Sequence, residues 1–321
     1  MPELPLLRRF PALAKLPRAN FGVYPTPVQR IALDDGRTLL VKRDDRSGTT
    51  IGGNKVRGLE WLLGDVRPGE RVVTVGPRGS THALITATYG RTLGADVTVV
   101  RWNQEMNDAA RRVAARLQGA ARIIDASWVP AAYVVAAALR VRAGGARWIP
   151  AGGATPLAVL GQVNAALELA EQIAAGECEL PERLVVPLGT GGTAAGLALG
   201  LRIAGLGTQV VAVRVVPRVV GRVGRVVKLA DATAALIERL VGGRERLPRL
   251  ERDQGNVRVE HAYYAGAYGR PLEGLRSADD ALRTAGVRVD DTYSRKALAA
   301  ALAQRDHLTL FWLTFDGRLL D

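Results

Sequence analysis

A lysine stands at the start of a predicted helix, in the stretch TIGGNKVRGLEW at residues 50–61. The chain has only five lysines among its 44 basic residues, yet Lys55 directly follows Gly52, Gly53 and Asn54. The positive end of a helix dipole disfavours a charged amine, so the pKa of this lysine should fall. A neutral amine can act as nucleophile or base, whereas arginine stays charged. We therefore predict a catalytic Lys55, with an exposed surface lysine as the alternative.

A glycine-rich loop, GTGGT at residues 189–193, follows an apolar run and precedes a helix-like run of small residues. Glycines let backbone amides approach a ligand, and a helix N-terminus attracts anions. No Lys-Ser or Lys-Thr follows, which excludes a nucleoside-triphosphate loop. Gly189, Gly191 and Ala194 fit a dinucleotide pattern, but residues 214–216 lack the acidic residue that binds an NAD ribose. The loop predicts a site for another phosphate; a plain turn and NADP are the alternatives.

A second loop, TVGPRGSTHALITA at residues 74–87, has three polar residues where a helix is predicted to begin. Ser80 or Thr81 could serve only as an N-cap, which is a common structural role for these residue types. The backbone amides of Ser80, Thr81 and His82 could also bind an anion such as a carboxylate. The sequence thus predicts a second anion site at this helix start, with the N-cap alone as the alternative.

Apolar β-branched runs alternate with Ala- and Leu-rich runs along the chain. This alternation predicts βαβ units in an α/β fold with mostly parallel sheets flanked by helices, and a ligand at the carboxyl ends of the strands. The predicted strands are residues 71–75, 96–101, 184–188 and 209–216, and the predicted helices are residues 82–93, 107–117 and 193–203. The Gly- and Pro-rich segment at residues 143–156 is the candidate crossing between two lobes.

Composition narrows the class of protein. A hydrophobic content of 48% and a charged content of 23% are typical of a soluble globular chain. A single cysteine and three scattered histidines predict neither disulfides nor a metal site. No apolar run reaches the roughly 18 residues of a membrane helix, and no signal peptide is evident, so we predict a cytoplasmic protein. The net charge of +13 could indicate a nucleic-acid binder, but the arginines are dispersed, which disfavours that partner.

The stretch VKRDDRSGTTIGGNKVRGLEWLL at residues 41–63 resembles the signature of the aminocyclopropane-carboxylate deaminase and D-cysteine desulfhydrase family. These are pyridoxal-phosphate enzymes of the tryptophan-synthase-β fold type. The resemblance extends from Pro25 to Thr314, and the order of motifs agrees. It implies two lobes with pyridoxal 5'-phosphate in the cleft between them, a large cofactor-binding domain of residues 1–50 and 157–321, and a small domain of residues 51–156.

The resemblance also assigns roles to individual residues. Lys55 would carry the cofactor covalently and move the α-proton, and Tyr268 and Tyr293 match the two catalytic tyrosines of the family. The cofactor-binding residues would be Asn54, Lys55, Gly189, Thr190, Gly191, Gly192, Thr193 and Thr314. The carboxylate of the substrate would be bound by Ser80, Thr81 and His82. A homodimer acting on a small amino acid is what the family pattern implies.

The position after the second tyrosine bears on the reaction. Aminocyclopropane-carboxylate deaminases have a glutamate there, and this chain has Ser294, as in the desulfhydrase branch. We therefore expect β-elimination from a D-cysteine-like amino acid, giving a keto acid and ammonia. Aminocyclopropane-carboxylate deamination is one alternative. A catalytically inactive interaction protein is another, because the chain departs from the family motifs at Thr81, Arg295, Leu313, Phe315 and Asp316.

Overall fold

The computed structural model describes residues 3–142, 145–243, 245–251, 255–272 and 276–321. The described strands are β1 (Val28–Ala32), β2 (Thr38–Lys42), β3 (Arg71–Pro77), β4 (Asp96–Trp102), β5 (Arg122–Asp125), β6 (Arg147–Ile149), β7 (Arg183–Leu188), β8 (Gln209–Arg214), β9 (Val257–Glu260) and β10 (Thr309–Trp312). The described α-helices are α1 (Pro5–Arg9), α2 (Lys55–Leu62), α3 (Thr81–Thr92), α4 (Asp108–Gln118), α5 (Val129–Arg142), α6 (Pro156–Ala174), α7 (Gly192–Ile203), α8 (Val223–Leu240), α9 (Arg276–Thr284) and α10 (Ser294–Leu302).

Two sheets organise these elements. One has four strands in the order β5-β4-β3-β6, and all of its pairings are parallel. The other has six strands in the order β1-β2-β10-β7-β8-β9, and only β1 pairs antiparallel with its neighbour. Helices lie between successive parallel strands along the chain, because parallel pairing requires a crossover connection. The predicted α/β class with mostly parallel sheets is confirmed.

Close packing against α6 fixes the position of α2, which begins with Lys55. A Cβ atom on Gly161 would collide with the backbone carbonyl of Arg57, and one on Gly58 would crowd Ala158. The two helices can therefore approach only because these positions are glycine. α6 also packs on α7, so the helices that begin with Lys55 and with the glycine loop share one apolar core.

All seven elements predicted from the alternation are present, with ends shifted by one or two residues. The strand expected at residues 209–216 ends earlier, at Arg214, where Pro217 restricts the preceding residue and supplies no N–H donor. The segment at residues 143–156, predicted as a crossing between lobes, contains β6, and its residues 143–144 are outside the described ranges. The domain boundaries stay a prediction.

None of the described helices combines the length and the apolar character needed to cross a membrane. Within the same residues, no group of three or more histidine, cysteine, aspartate or glutamate side chains is arranged to hold a metal ion.

Candidate active site

One cavity of about 580 Å³ lies at the carboxyl ends of strands from both sheets. Its walls come from the loops after β3 and β4 on one side and after β7, β8 and β10 on the other. The predicted site residues all line it: Asn54, Lys55, Ser80, Thr81, His82, Gly189, Thr190, Gly191, Gly192, Thr193, Tyr268, Tyr293 and Thr314. Residues far apart in the chain thus face one space, at the edge where parallel sheets bind ligands.

Lys55 is the first residue of α2. All five lysines lie in the described part of the chain, and Lys55 is the one that lines the cavity. Its side chain is half-buried and also borders a smaller cavity beside α2 and α6. This burial lowers the pKa of the Lys55 amine from 10.5 to about 8. A substantial neutral fraction therefore exists at physiological pH, as a nucleophile or base requires.

The loop before Lys55 is held from three directions. The backbone N–H of Asn54 donates to the carbonyl of Thr314 at 3.2 Å, and Gln162 Nε2 donates to the carbonyl of Asn54 at 2.6 Å. The backbone N–H of Gly52 donates to Asp316 Oδ2 at 2.8 Å. Asp316 is one of the departures from the family motif, and here its buried carboxylate anchors the glycine pair that precedes Lys55.

The glycine loop leaves a helix N-terminus open to the cavity. Gly191 occupies the N-cap of α7 at φ +97°, a conformation that favours glycine, and no described side chain caps the helix. A Cβ atom on Gly189 would meet nothing within 4 Å. The buried hydroxyl of Thr190 has no hydrogen-bond partner in the described part of the chain. Free amides, an unused hydroxyl and open space together suit an anion such as a phosphate.

The side chains beside this loop are linked to the lysine loop. Asn54 Nδ2 donates to Thr193 Oγ1 at 2.6 Å, which ties the residue before Lys55 to the first turn of α7. Thr314, at the end of β10, lies on the same wall as Phe315. One hydrogen bond therefore links the residue before Lys55 directly to the predicted phosphate loop.

The second predicted anion site also faces the cavity. Ser80 Oγ accepts a hydrogen bond from the N–H of Ala83 at 3.2 Å, so Ser80 is the N-cap of α3. His82 Nε2 lies 3.2 Å from Thr74 Oγ1. Burial, reinforced by the positive charge of Lys55, lowers the pKa of His82 to about 3, so this imidazole is neutral. The N-terminus of α3 can therefore attract a carboxylate through its amides, without a charged histidine.

The two predicted tyrosines contact each other. The rings of Tyr268 and Tyr293 pack edge to face with their centroids 5.6 Å apart. Burial raises the pKa of the Tyr293 hydroxyl above its usual range, although its hydrogen bond to Thr81 opposes this effect. Tyr293 is therefore protonated at all physiological pH values. It can donate a proton, and Thr81, another departure from the family motif, is one of its partners.

Two buried charged residues fix the loops that carry these tyrosines. Lys296 Nζ donates to the backbone carbonyls of Tyr264 and Ala267, both at 3.2 Å, directly before Tyr268. The carboxylate of Asp290 accepts hydrogen bonds from the backbone N–H groups of residues 292–294 at 2.9–3.0 Å. The positions of both phenols therefore depend on side chains that do not line the cavity themselves.

Some residues singled out in the sequence lie elsewhere. Ser294, Arg295 and Leu313 do not line the cavity, and Ser294 is fully buried below Tyr293. Any effect of Ser294 on the choice of substrate would therefore be indirect. Other lining residues, such as Trp102 at the end of β4 and Val220 after β8, were not predicted from the sequence. Their positions at strand ends were the available signal, because the carboxyl ends of parallel strands meet at the ligand site.

Comparisons with known proteins agree with this geometry. The family model described as "Pyridoxal-phosphate dependent enzyme" matches residues 19–309. The chain is 36% identical to nocardicin C-9' epimerase of Nocardia uniformis subsp. tsuyamanensis, over 95% of this chain and 94% of that protein. It is 30% identical to D-cysteine desulfhydrase of Klebsiella pneumoniae (strain 342), over 90% and 89%.

A solved structure gives the same result for the fold. The structure described as an ACC deaminase homologue superposes with a TM-score of 0.78, at 28% identity, over 98% of this chain and 95% of that chain. The resemblance predicted from the motif around Lys55 is confirmed, and with it the cofactor that defines the family. The chain belongs to the family of pyridoxal-phosphate dependent enzymes.

Proposed function

We propose that this protein is a pyridoxal-phosphate lyase that eliminates the β-substituent of an amino acid such as D-cysteine. One observation carries the proposal: the amine of Lys55, with its pKa lowered to about 8, shares a cavity with an uncapped helix N-terminus and a protonated phenol. A base for the α-proton, an anion site and a proton donor for the leaving group are the parts that β-elimination needs.

The residues fit pyridoxal phosphate. The amides of residues 191–193 and the unpartnered hydroxyl of Thr190 would hold the phosphate, while Asn54 and Thr314 would contact the ring. When bound, the cofactor supplies the electron sink that makes removal of an α-proton feasible. Thr314 offers a neutral hydroxyl to the ring. We infer that a neutral partner favours prompt elimination over a long-lived charge at the α-carbon.

The chain's own residues would then divide the work. The N-terminus of α3, at Ser80, Thr81 and His82, would bind the substrate carboxylate and so orient the α-hydrogen. Lys55 would take the α-proton, because its amine is neutral in a large fraction of molecules near pH 8. Tyr293 would protonate the leaving sulfur, assisted by Tyr268. Overall, D-cysteine and water would give pyruvate, hydrogen sulfide and ammonia.

The experiment for this proposal measures products and proton exchange together. The holoenzyme is incubated with D- and L-cysteine in D₂O, and pyruvate, sulfide, ammonia and α-deuterium are quantified. We expect equal amounts of pyruvate, sulfide and ammonia from one enantiomer. Tyr293→Phe should slow this release by about 10²-fold or more, because it removes a general acid, while α-deuterium exchange continues. Tyr263→Phe, outside the cavity, is the matched control. No keto acid from any amino acid tested would refute the lyase.

A second candidate is epimerisation at an α-carbon. It is favoured by the 36% identity to the relative named nocardicin C-9' epimerase. Both reactions begin with the loss of an α-proton, so the same Lys55 serves either. In the D₂O experiment, epimerisation would produce an amino acid with inverted configuration and α-deuterium, without ammonia. Deamination of aminocyclopropane-carboxylate is distinguished by the keto acid formed, which has four carbons rather than three.

The lowered pKa of Lys55 predicts how cofactor loading depends on pH. Only the neutral amine reacts with the aldehyde of the cofactor, and burial lowers its pKa to about 8. The rate of loading onto the cofactor-free protein should therefore rise about tenfold per pH unit below 8 and level off above it. Stopped-flow absorbance measures this rate. A rate that still climbs steeply between pH 9 and 10 would indicate an ordinary exposed lysine.

The homodimer and the cytoplasmic location predicted from the sequence stay predictions. Sedimentation of the purified protein tests the first, because a dimer has twice the mass of the 34.2 kDa chain. If the product experiment shows no turnover, the alternative of a catalytically inactive interaction protein is supported. The family match and the protonation states of Lys55 and Tyr293 favour an enzyme.

A further inference from the structure

Part of the cavity lining is apolar or aromatic and has no role in the proposed reaction. This part comprises Trp102 at the end of β4, Val129 and Tyr133 on α5, and Val216 and Val220 after β8. We name these five residues the apolar annex. None of them belongs to the predicted cofactor or carboxylate sites. The annex residues come from elements next to both sheets, and they line the same cavity as Lys55.

Two aromatic rings form a ledge in the annex. The rings of Trp102 and Tyr133 are stacked, with centroids 6.4 Å apart and an interplanar angle of 25°. Trp148 supports Tyr133 from another side, edge to face, at 6.1 Å. The ledge is therefore held in place before any ligand arrives. Tyr133 nevertheless keeps 41% of its surface exposed, which leaves apolar area available to a ligand.

The positive charge of Arg225 also limits which kind of group the annex can bind. Arg225, near the start of α8, lines the cavity. Burial raises the pKa of the Tyr133 hydroxyl, and the positive charge of Arg225 opposes that effect, so the guanidinium acts on the ledge. A cationic substituent would be repelled there, whereas a neutral aromatic ring can stack on the ledge and face the guanidinium. The annex thus suits an apolar or aromatic group.

We infer that the annex binds a bulky substituent of the substrate, and that the substrate class is S-substituted cysteines with an aromatic or large apolar group on sulfur. This inference rests on the proposed function. The Cα proton would go to Lys55, and the Cβ–S bond would break with its electron pair on sulfur. Sulfur would be protonated by Tyr293, and water would convert the remaining three carbons to pyruvate and ammonia. The products are then a bulky thiol, pyruvate and ammonia.

A comparison of two ligands tests the inference. S-Benzylcysteine and S-methylcysteine share the leaving atom and differ in the group that would enter the annex. Each enantiomer is titrated into the holoenzyme, with tryptophan fluorescence and cofactor absorbance as binding readouts and thiol release as the kinetic one. We expect the S-benzyl compound to bind at least about tenfold more tightly, because its ring is removed from water and stacks on Trp102 and Tyr133.

Variants test whether the annex causes the preference for the S-benzyl compound over the S-methyl compound. Tyr133→Ala should reduce the ratio of the two dissociation constants about tenfold, because it removes half of the ledge. Trp128→Ala is the matched control: Trp128 is an exposed aromatic residue next to Val129, outside the cavity lining, and should not change the ratio. If Tyr133→Ala does not fold, Val220→Trp places a bulky side chain in the annex and should make the S-methyl compound the tighter ligand.

The outcomes separate this inference from the proposed function. Equal affinities for the two compounds, or a ratio that Tyr133→Ala leaves unchanged, would overturn the annex. Tight S-benzyl binding without release of thiol and pyruvate would support the annex and refute the lyase. Turnover of cysteine with no preference for the S-benzyl compound would support the lyase and overturn the annex.

Discussion

Lys55→Ala is expected to lose at least about 10³-fold in the rate of keto-acid release, with the fold intact. The variant lacks both the amine that carries the cofactor and the base for the α-proton, and general base catalysis alone typically contributes about 10²–10⁴-fold. Lys55 lies at the start of α2 and faces the cavity, so truncation opens no hole in the core. Steady-state assays of keto-acid release and far-UV circular dichroism measure the two quantities.

Two control variants make this result specific. Lys55→Arg retains length and charge but cannot supply a neutral amine, so it should be as inactive as Lys55→Ala. Lys228→Ala removes an exposed lysine from α8 and should keep full activity. Residual activity of Lys55→Arg above one tenth of the unsubstituted enzyme would show that position 55 needs only a positive charge, and would contradict covalent attachment there.

Arg57→Met is expected to lower the free energy of unfolding by about 3–5 kcal/mol, because removal of one partner leaves buried charges uncompensated. Arg57 lies two residues after Lys55 and is almost completely buried. Its guanidinium donates to Asp44 Oδ1 at 2.7 Å and to Glu168 Oε2 at 2.9 Å. Lys42 Nζ donates to Glu168 Oε1 at 2.7 Å. In the variant, Asp44 loses its buried cation.

Denaturant unfolding, with a fixed cofactor concentration, measures this loss. Arg111→Met is the matched control, because Arg111 pairs with Asp108 at 2.9 Å on the exposed surface of α4, where such pairs contribute at most about 1 kcal/mol. Equal losses in the two variants would contradict the account of the buried cluster.

Low pH should reduce the stability that the buried cluster of Arg57, Lys42 and Glu168 provides. Burial alone would raise the pKa of Glu168, but Arg57 and Lys42 lower it from 4.5 to about 2. The stabilisation from this carboxylate is therefore complete above about pH 4.5 and is lost as the pH falls toward 2. The unsubstituted protein should show this loss in acid titrations of its unfolding free energy, and Arg57→Met should show much less of it.

Local sequence signals predicted which residues line the cavity better than they predicted the contacts that hold those residues in place. Lys55 could be recognised because residue type, preceding glycines and a predicted helix start all pointed to a neutral amine. The glycine loop at residues 189–193 was recognisable for a similar reason. Asp316 was noted only as a departure from a motif. Its role depends on a contact with Gly52, which is 264 residues away in the chain, and no periodicity indicates such a contact.

The residues of the annex also could not be recognised from the sequence. Trp102, Val129 and Val220 are apolar residues near the ends of a strand or helix, and in sequence they cannot be distinguished from core residues. Only the folded chain shows that they line a cavity shared with Lys55. Ser294, which was expected to affect substrate choice, lies buried at the start of α10, and its effect on the substrate stays a prediction. Tyr293, the residue before Ser294, lines the cavity.

The most direct test of the central claim is to locate the cofactor on the chain. The purified protein is mixed with pyridoxal phosphate, its visible absorption is recorded, the bond is reduced with borohydride, and the labelled peptide is mapped. The account predicts a yellow protein whose absorption is lost on reduction, with the label on Lys55. A label on Lys42, Lys228 or Lys296, or a protein from which the cofactor washes away unreduced, would contradict it.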